Sequence, residues 1–346
     1  MTPAQAVTVV HQEQGALVAP SKPRVLNDQR VHFVNVPGQY ATAQNLHGVN
    51  TIASTAGAAV TFKTKYLLPI PGYKHEAWGN PQSMVTAGRY IYVIYCPTTW
   101  HNRGRIVRFD RQKLDQLKVT PRQLQRVYTT KAASSKKEAA IRKAITIGPA
   151  FTTGHGQSLA FNWKNHQLYM WQDRESAPRV PISQMGVLQH IDALTLKPDK
   201  VIRFRLKSDN LSVPGGHVLT FDKQGRAYFW TRPSASQVYI YQGKVSATHV
   251  TFRLTRQILA HGPGTRVQSM AYNPTNDRIY LVSDDSIASL PVKKLAGSGH
   301  LTSQDVKWTG FASKREFEAL NFTNDGHAYL MSNHNPEILQ STGTTW

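Results

Sequence analysis

One short pattern returns five times along this chain. A polar residue opens an apolar run, a turn follows, and a strand centred on a tyrosine comes back. The copies run from Gln82 to Tyr92, Gln157 to Tyr169, His217 to Tyr228, Gln268 to Tyr280 and Glu318 to Tyr329. The leading residue and the tyrosine stand 10, 12, 11, 12 and 11 residues apart, and successive copies start 75, 60, 51 and 50 residues apart. Strand-sized units at a period near 50 predict an all-β, five-bladed β-propeller of four-stranded blades.

The later strands of each unit are legible as well. Third strands are expected at 105–109, 187–191, 237–241, 287–292 and 337–340, and fourth strands at 123–128, 200–206, 249–254 and 305–311. Asp222–Gly225, Asn273–Asp277 and Thr323–Gly326 carry turn chemistry between the first two strands. The fifth copy ends after three strands. Its fourth is expected from residues 60–68, where Val60-Thr61-Phe62-Lys63 reads like Val250-Thr251-Phe252-Arg253. That closure would remove an open sheet edge. The expected organisation is therefore one propeller over residues 59–346, preceded by a partly irregular extension at 1–58. In the extension, 30–36 could add a strand, and the small residues of 51–59 read as a linker or loop. A basic insertion at about 131–155 should carry a short helix over 136–145, capped by Ser134 or Ser135.

Charge is the second constraint. Lys and Arg number 41 against 20 Asp and Glu, a formal net charge of +21. Between His101 and Ile145 there are 13 Lys/Arg and three acids, Asp110, Asp115 and Glu138. A field so concentrated favours a polyanionic partner. Nucleic acid, anionic lipid or an acidic cell-wall polymer would suit it, nucleic acid without any recognition motif to support it, and the bland alternative is a surface that only keeps the protein soluble. The single Cys96 excludes an internal disulfide. No apolar run reaches the length of a membrane span. With no basic and apolar leader at its start, the protein is either cytosolic or has had a leader removed; the polar, irregular start favours the second, a secreted or surface-associated protein, expected to be a monomer.

In such a wheel the five leading residues, Gln82, Gln157, His217, Gln268 and Glu318, should ring the mouth of the central channel. They would either bind a polyhydroxylated ligand or hold only water and plug the channel. His155, Trp78, Trp100, His101, Arg174, Arg232 and His334 lie on loops of the same face, with tryptophan either stacking on sugar or simply buried. If the chain is an enzyme, paired carboxylates such as Glu318 with Asp173 or Asp284, or Glu76, would make it a glycan hydrolase. No other catalytic signature, metal motif or cofactor motif is present, and the balance leans against catalysis.

Two segments carry a resemblance. Gly154-His155-Gly156-Gln157 and Glu316-Phe317-Glu318-Ala319-Leu320 resemble the helveticin J-like proteins of lactobacilli, over roughly residues 60–346. The resemblance implies a secreted, bacteriocin-like protein acting at the envelope of related bacteria, as a toxin or an adhesin. It implies no catalytic residues.

Overall fold

The computed structural model describes residues 6–19, 22–69, 79–173, 186–206, 213, 218–234, 236–295, 298–344 and 346. The chain is mostly β. Each copy of the repeat opens a sheet. The first sheet runs Asn80–Ala87, Tyr90–Cys96, Arg103–Asp110, and the second Ala160–Phe161, Leu168–Trp171, Gly186–Asp192, Lys197–Phe204. The third runs Thr220–Phe221, Ala227–Thr231, Tyr239–Val245, Val250–Leu254. The fourth runs Ser269–Asn273, Arg278–Ser283, Ser286–Pro291, Lys307–Phe311, and the fifth Phe317–Phe322, Ala328–Ser332, Glu337–Ser341.

The register explains the variable spacing seen in the sequence. Val85, Ala160, Thr220, Ala271 and Asn321 each pair with the tyrosine of their own copy. Each of these residues stands three places after the leading polar residue. Pairing is therefore constant, and only the turn between the strands changes length. Hydrogen bonds from Gly225 N to Asp222 O, Asp277 N to Asn273 O and Gly326 N to Thr323 O close the turns read from the sequence.

Strand side chains alternate between the two faces of a sheet, and both faces are apolar here. Five apolar clusters result, one between each pair of neighbouring sheets. Tyr92 and Ile94 of the first sheet meet Leu159 and Met170 of the second. Trp171 meets Phe229 and Tyr241. Trp230 meets Tyr272 and Leu281, and Tyr280 meets Phe322 and Leu330. Tyr329 and Met331 then meet Met84 and Val93, back on the first sheet. The inner strands likewise contact one another in chain order, and the fifth contacts the first. They surround a common centre in a nearly closed arrangement. Each fully buried aromatic contributes on the order of 2–3 kcal/mol by leaving water.

Thr61–Leu67 pairs antiparallel with Glu337–Ser341 and supplies the fourth strand of the last sheet, as the sequence led us to expect. The segment before it departs from expectation. Thr51–Gly57 is a strand, not a linker, and pairs with both Thr61–Leu67 and Lys307–Phe311, so the fourth and fifth sheets are continuous. No strand forms over 30–36, where Val34 makes only an isolated bridge to Gly264. Upstream, Thr8–His11, Leu17–Val18 and Arg24–Leu26 add parallel to Lys197–Phe204, Val250–Leu254 and Gln257–Leu259.

The expected fourth strand at 123–128 is instead helical. After α1 (Arg111–Gln116), helix α2 (Pro121–Gln125) starts from a capping box of Thr120 and Gln123 with proline in its first turn. The outer edge of Arg103–Asp110 is covered by two short strands, Ile145–Ile147 and Phe151–Thr152. Helix α3 (Lys136–Lys143) forms where predicted, with Ser135 accepting from Glu138 N.

Candidate functional site

Three of the leading residues converge at the centre. Gln157 donates from Nε2 to Gln268 O (2.8 Å), Glu318 O (3.0 Å) and Glu318 Oε2 (3.0 Å). Asn333 donates to the other carboxylate oxygen, Glu318 Oε1, at 2.5 Å. Gln268 donates to Asp284 Oδ1 at 3.0 Å, and Phe317 N shares that oxygen at 2.9 Å. Tyr40, from the N-terminal extension, donates its hydroxyl to Asp284 Oδ2 at 2.9 Å. Gln157, Gln268, Asp284 and Glu318 are all buried. Gln157, Gln268 and Glu318 are thus tied into one buried cluster with Asp284 and Asn333, which Gln82 does not join by any hydrogen bond among the described residues.

Burial raises the Glu318 carboxyl well above the ordinary carboxylate range, with Glu316 and Asp284 adding to the effect against hydrogen bonds from Gln157 and Asn333. Burial likewise raises Asp284. A glycan-cleaving pair needs one open, solvated carboxylate beside the substrate. The oxygens of Glu318 and Asp284 are already engaged. The backbone carbonyl of Asp173 accepts from His155 N at 2.9 Å. Among the described residues no group of three or more His, Cys, Asp or Glu could hold a metal ion.

The inner strands are stitched by a signal that the sequence reading passed over, the serine after the leading glutamine. Ser83 Oγ accepts from Leu159 N (3.0 Å) and donates to Gly156 O (2.7 Å). Ser269 Oγ accepts from Leu320 N (3.2 Å). Each ties one copy to the equivalent position of the next.

The remaining predicted residues are spread over the loops. Gln82 is buried and lines a small cavity together with His155. Trp100 and His101 sit on the loop beside that cavity, with the Arg105 guanidinium 4.8 Å from the Trp100 ring centre. One face of that indole is therefore already covered. Arg232 packs over Phe33 and donates to Thr265 O. His334 Nε2 lies 3.3 Å from Glu316 Oε2, its ring 5.2 Å from that of Tyr40. His75, Glu76, Trp78, Arg174, Glu175 and His217 lie outside the described residues.

A larger basic site lies on the first sheet's flank. Helices α2 and α3 face each other across a cavity of about 490 Å³ lined by Arg122, Arg126, Lys137 and several Ser and Thr hydroxyls. Arg142 holds the intervening loop by donating to the carbonyls of Val127, Thr130 and Lys131 at 2.9 Å each. All three acids of the basic segment are engaged: Asp110 by Arg89, Asp115 by Lys65 (2.8 Å) and Glu138 by Arg142 (2.6 Å). Two of those three cations come from outside the segment. Arg122, Arg126, Lys131 and Lys136 are exposed, with no carboxylate opposite them among the described residues.

No family model matches the chain, and no curated protein matches it either. Among solved structures it is similar to a glucose dehydrogenase (11% identity, TM-score 0.42, 89% of this chain and 100% of that one). It is also similar to the soluble aldose sugar dehydrogenase of Escherichia coli (11%, 0.38, 93% and 99%). A third is the SapL1 lectin, solved with alpha methyl fucoside (10%, 0.37, 84% and 89%). These likenesses are too loose to place the chain among any of those proteins. Among the described residues no helix is long and apolar enough to cross a membrane.

Proposed function

We propose that the five sheets are the blades of a five-bladed β-propeller, and that the protein is a secreted, bacteriocin-like protein of the helveticin J-like kind. It docks on an anionic or carbohydrate component of a bacterial envelope and acts there as a toxin or an adhesin. The observation that carries this reading is the basic segment. Its acids are neutralised largely by cations from elsewhere, so its own exposed cations face solvent as one positive surface. The net charge of +21 supplies the attraction at longer range.

The cavity between α2 and α3 suits such a partner. Guanidinium groups pair well with phosphate or carboxylate, and serine and threonine hydroxyls pair with sugar or polyol hydroxyls. With Gln157, Gln268 and Glu318 engaged in a buried cluster at the centre, docking falls to the rim and flank.

The test is binding of the purified chain to whole Gram-positive cells before and after chemical removal of their phosphate-bearing wall polymers. Retention on intact cells, lost after stripping, supports the reading. Equal retention on stripped cells, or none on either, overturns it.

A further inference from the structure

We infer that the cavity holding Gln82 and His155 is a binding site for a single oxyanionic group, the carboxylate or phosphate of an acidic saccharide unit. The ligand's source rests on the envelope reading above; the site itself stands on its own geometry. The cavity, of about 40 Å³, is lined by Asn80, Gln82, Thr98, Asn102, Arg103 and His155 among others. That is room for one small polar group, with the rest of a ligand left outside.

Three features make this a built site. Gln82 is only 7% exposed, and its side-chain amide makes no hydrogen bond among the described residues. The amide lines the cavity and offers a ligand group both a donor and an acceptor. Arg103 and His155, on the same cavity, have no ion-pair or side-chain hydrogen-bond partner among the described residues either. Amide, guanidinium and imidazole together form a donor set for an oxyanion.

The loops around the cavity are also fixed. Gly154 (φ +64°) and Gly156 (φ +82°) flank His155, and a Cβ on Gly154 would stand 1.5 Å from Asp173 O. Asn102, itself at φ +59°, accepts at its carbonyl from Thr153 N (3.0 Å) and Gly154 N (3.1 Å). Backbone held in this strained region persists where surrounding contacts enforce it, and such places cluster at ligand sites. The Gly-His-Gly-Gln step and the loop carrying Arg103 are thereby locked against each other with the cavity between them.

The experiment is calorimetric titration of the full chain with sodium glucuronate, glycerol 3-phosphate and neutral glucose, for the parent, Arg103→Gln, Gln82→Met and the distant surface variant Lys307→Gln. The inference predicts binding of glucuronate, glycerol 3-phosphate or both, and none of glucose. The anion bound tells carboxylate from phosphate. Arg103→Gln and Gln82→Met should weaken it roughly tenfold or more, and Lys307→Gln should leave it unchanged. Arg103 is exposed, so its replacement reads the site even where Gln82→Met folds poorly. No binding of either anion by the parent, or equal binding by the Arg103→Gln variant, overturns the inference. If the parent holds wall polymer yet binds neither small anion, this inference fails while the envelope reading stands. If it binds the small anions but no polymer, the envelope reading fails alone.

Discussion

The Arg315 guanidinium and the Glu337 carboxylate meet at 2.8 Å with side chains only 5% and 0% exposed. The second carboxylate oxygen accepts from Thr64 Oγ1 (2.6 Å) and Asn50 Nδ2 (3.2 Å). This buried network joins the start of the last sheet, its third strand and the N-terminal strand that completes it. A buried pair stripped of one partner leaves a charge uncompensated. Glu337→Ala should therefore cost about 3–5 kcal/mol, measured by denaturant unfolding followed through tryptophan fluorescence. A loss below about 1 kcal/mol would show that the network does not hold the two ends of the ring together.

Ser83 and Ser269 occupy equivalent places and accept from equivalent backbone amides, Leu159 N and Leu320 N. Ser83→Ala and Ser269→Ala each leave a buried N–H without its partner, at a cost of about 1–3 kcal/mol. Matching losses in unfolding free energy are expected. A large loss for one and none for the other would break the equivalence.

Glu318 gives a pH dependence with a definite sign. Its carboxyl is raised in the folded protein and titrates in the ordinary range when unfolded. The stability it contributes is thus complete below the ordinary carboxylate range and is lost as pH rises toward the raised folded value. Glu318→Gln removes that loss. Melting temperatures of parent and variant, compared from acid to neutral pH, should diverge in the variant's favour as pH rises. A constant difference across the range would refute the assignment.

Gly154→Ala would force a Cβ against Asp173 O and a side chain into left-handed backbone, which alone costs about 1–2 kcal/mol. The variant should be destabilised by at least that much and should lose binding at the Gln82 cavity, both read by melting with and without sodium glucuronate. An unchanged melting temperature would mean that the loop around His155 is not held as described.

Much of this architecture is written in the sequence because it repeats. Tyr92, Tyr169, Tyr228, Tyr280 and Tyr329 all fall on second strands. The closing strand at 61–67 showed itself through its likeness to an internal fourth strand. Misreadings fell where one local signal outweighed another. Val127 and Tyr128 suggested a strand at 123–128, while Thr120-Pro121 and Gln123 carried the helix start that prevailed. Small residues at 51–57 suggested a loop, but strands on both sides supply their pairing. The parallel strands 8–11, 17–18 and 24–26 are too short to announce themselves, since the edge they join selects them. At the centre, the leading residues and Asp284 were found, and the other partners were not. Tyr40 reaches the cluster from outside the repeat, and no pattern points to it, whereas Asn333 stands four residues after Tyr329 just as Asp284 stands four after Tyr280, a correspondence that was there to be read.

The most direct test of the envelope reading is binding of isolated anionic wall polymer by the parent and by a variant with Arg122, Arg126, Lys131 and Lys136 all changed to Gln. All four side chains are exposed, so folding should be unaffected. The account predicts that the parent binds at low salt and weakens steeply as NaCl rises through the physiological range. The variant should bind far more weakly and with a shallower dependence on salt. Polymer binding of equal strength and equal salt dependence in both proteins would contradict it.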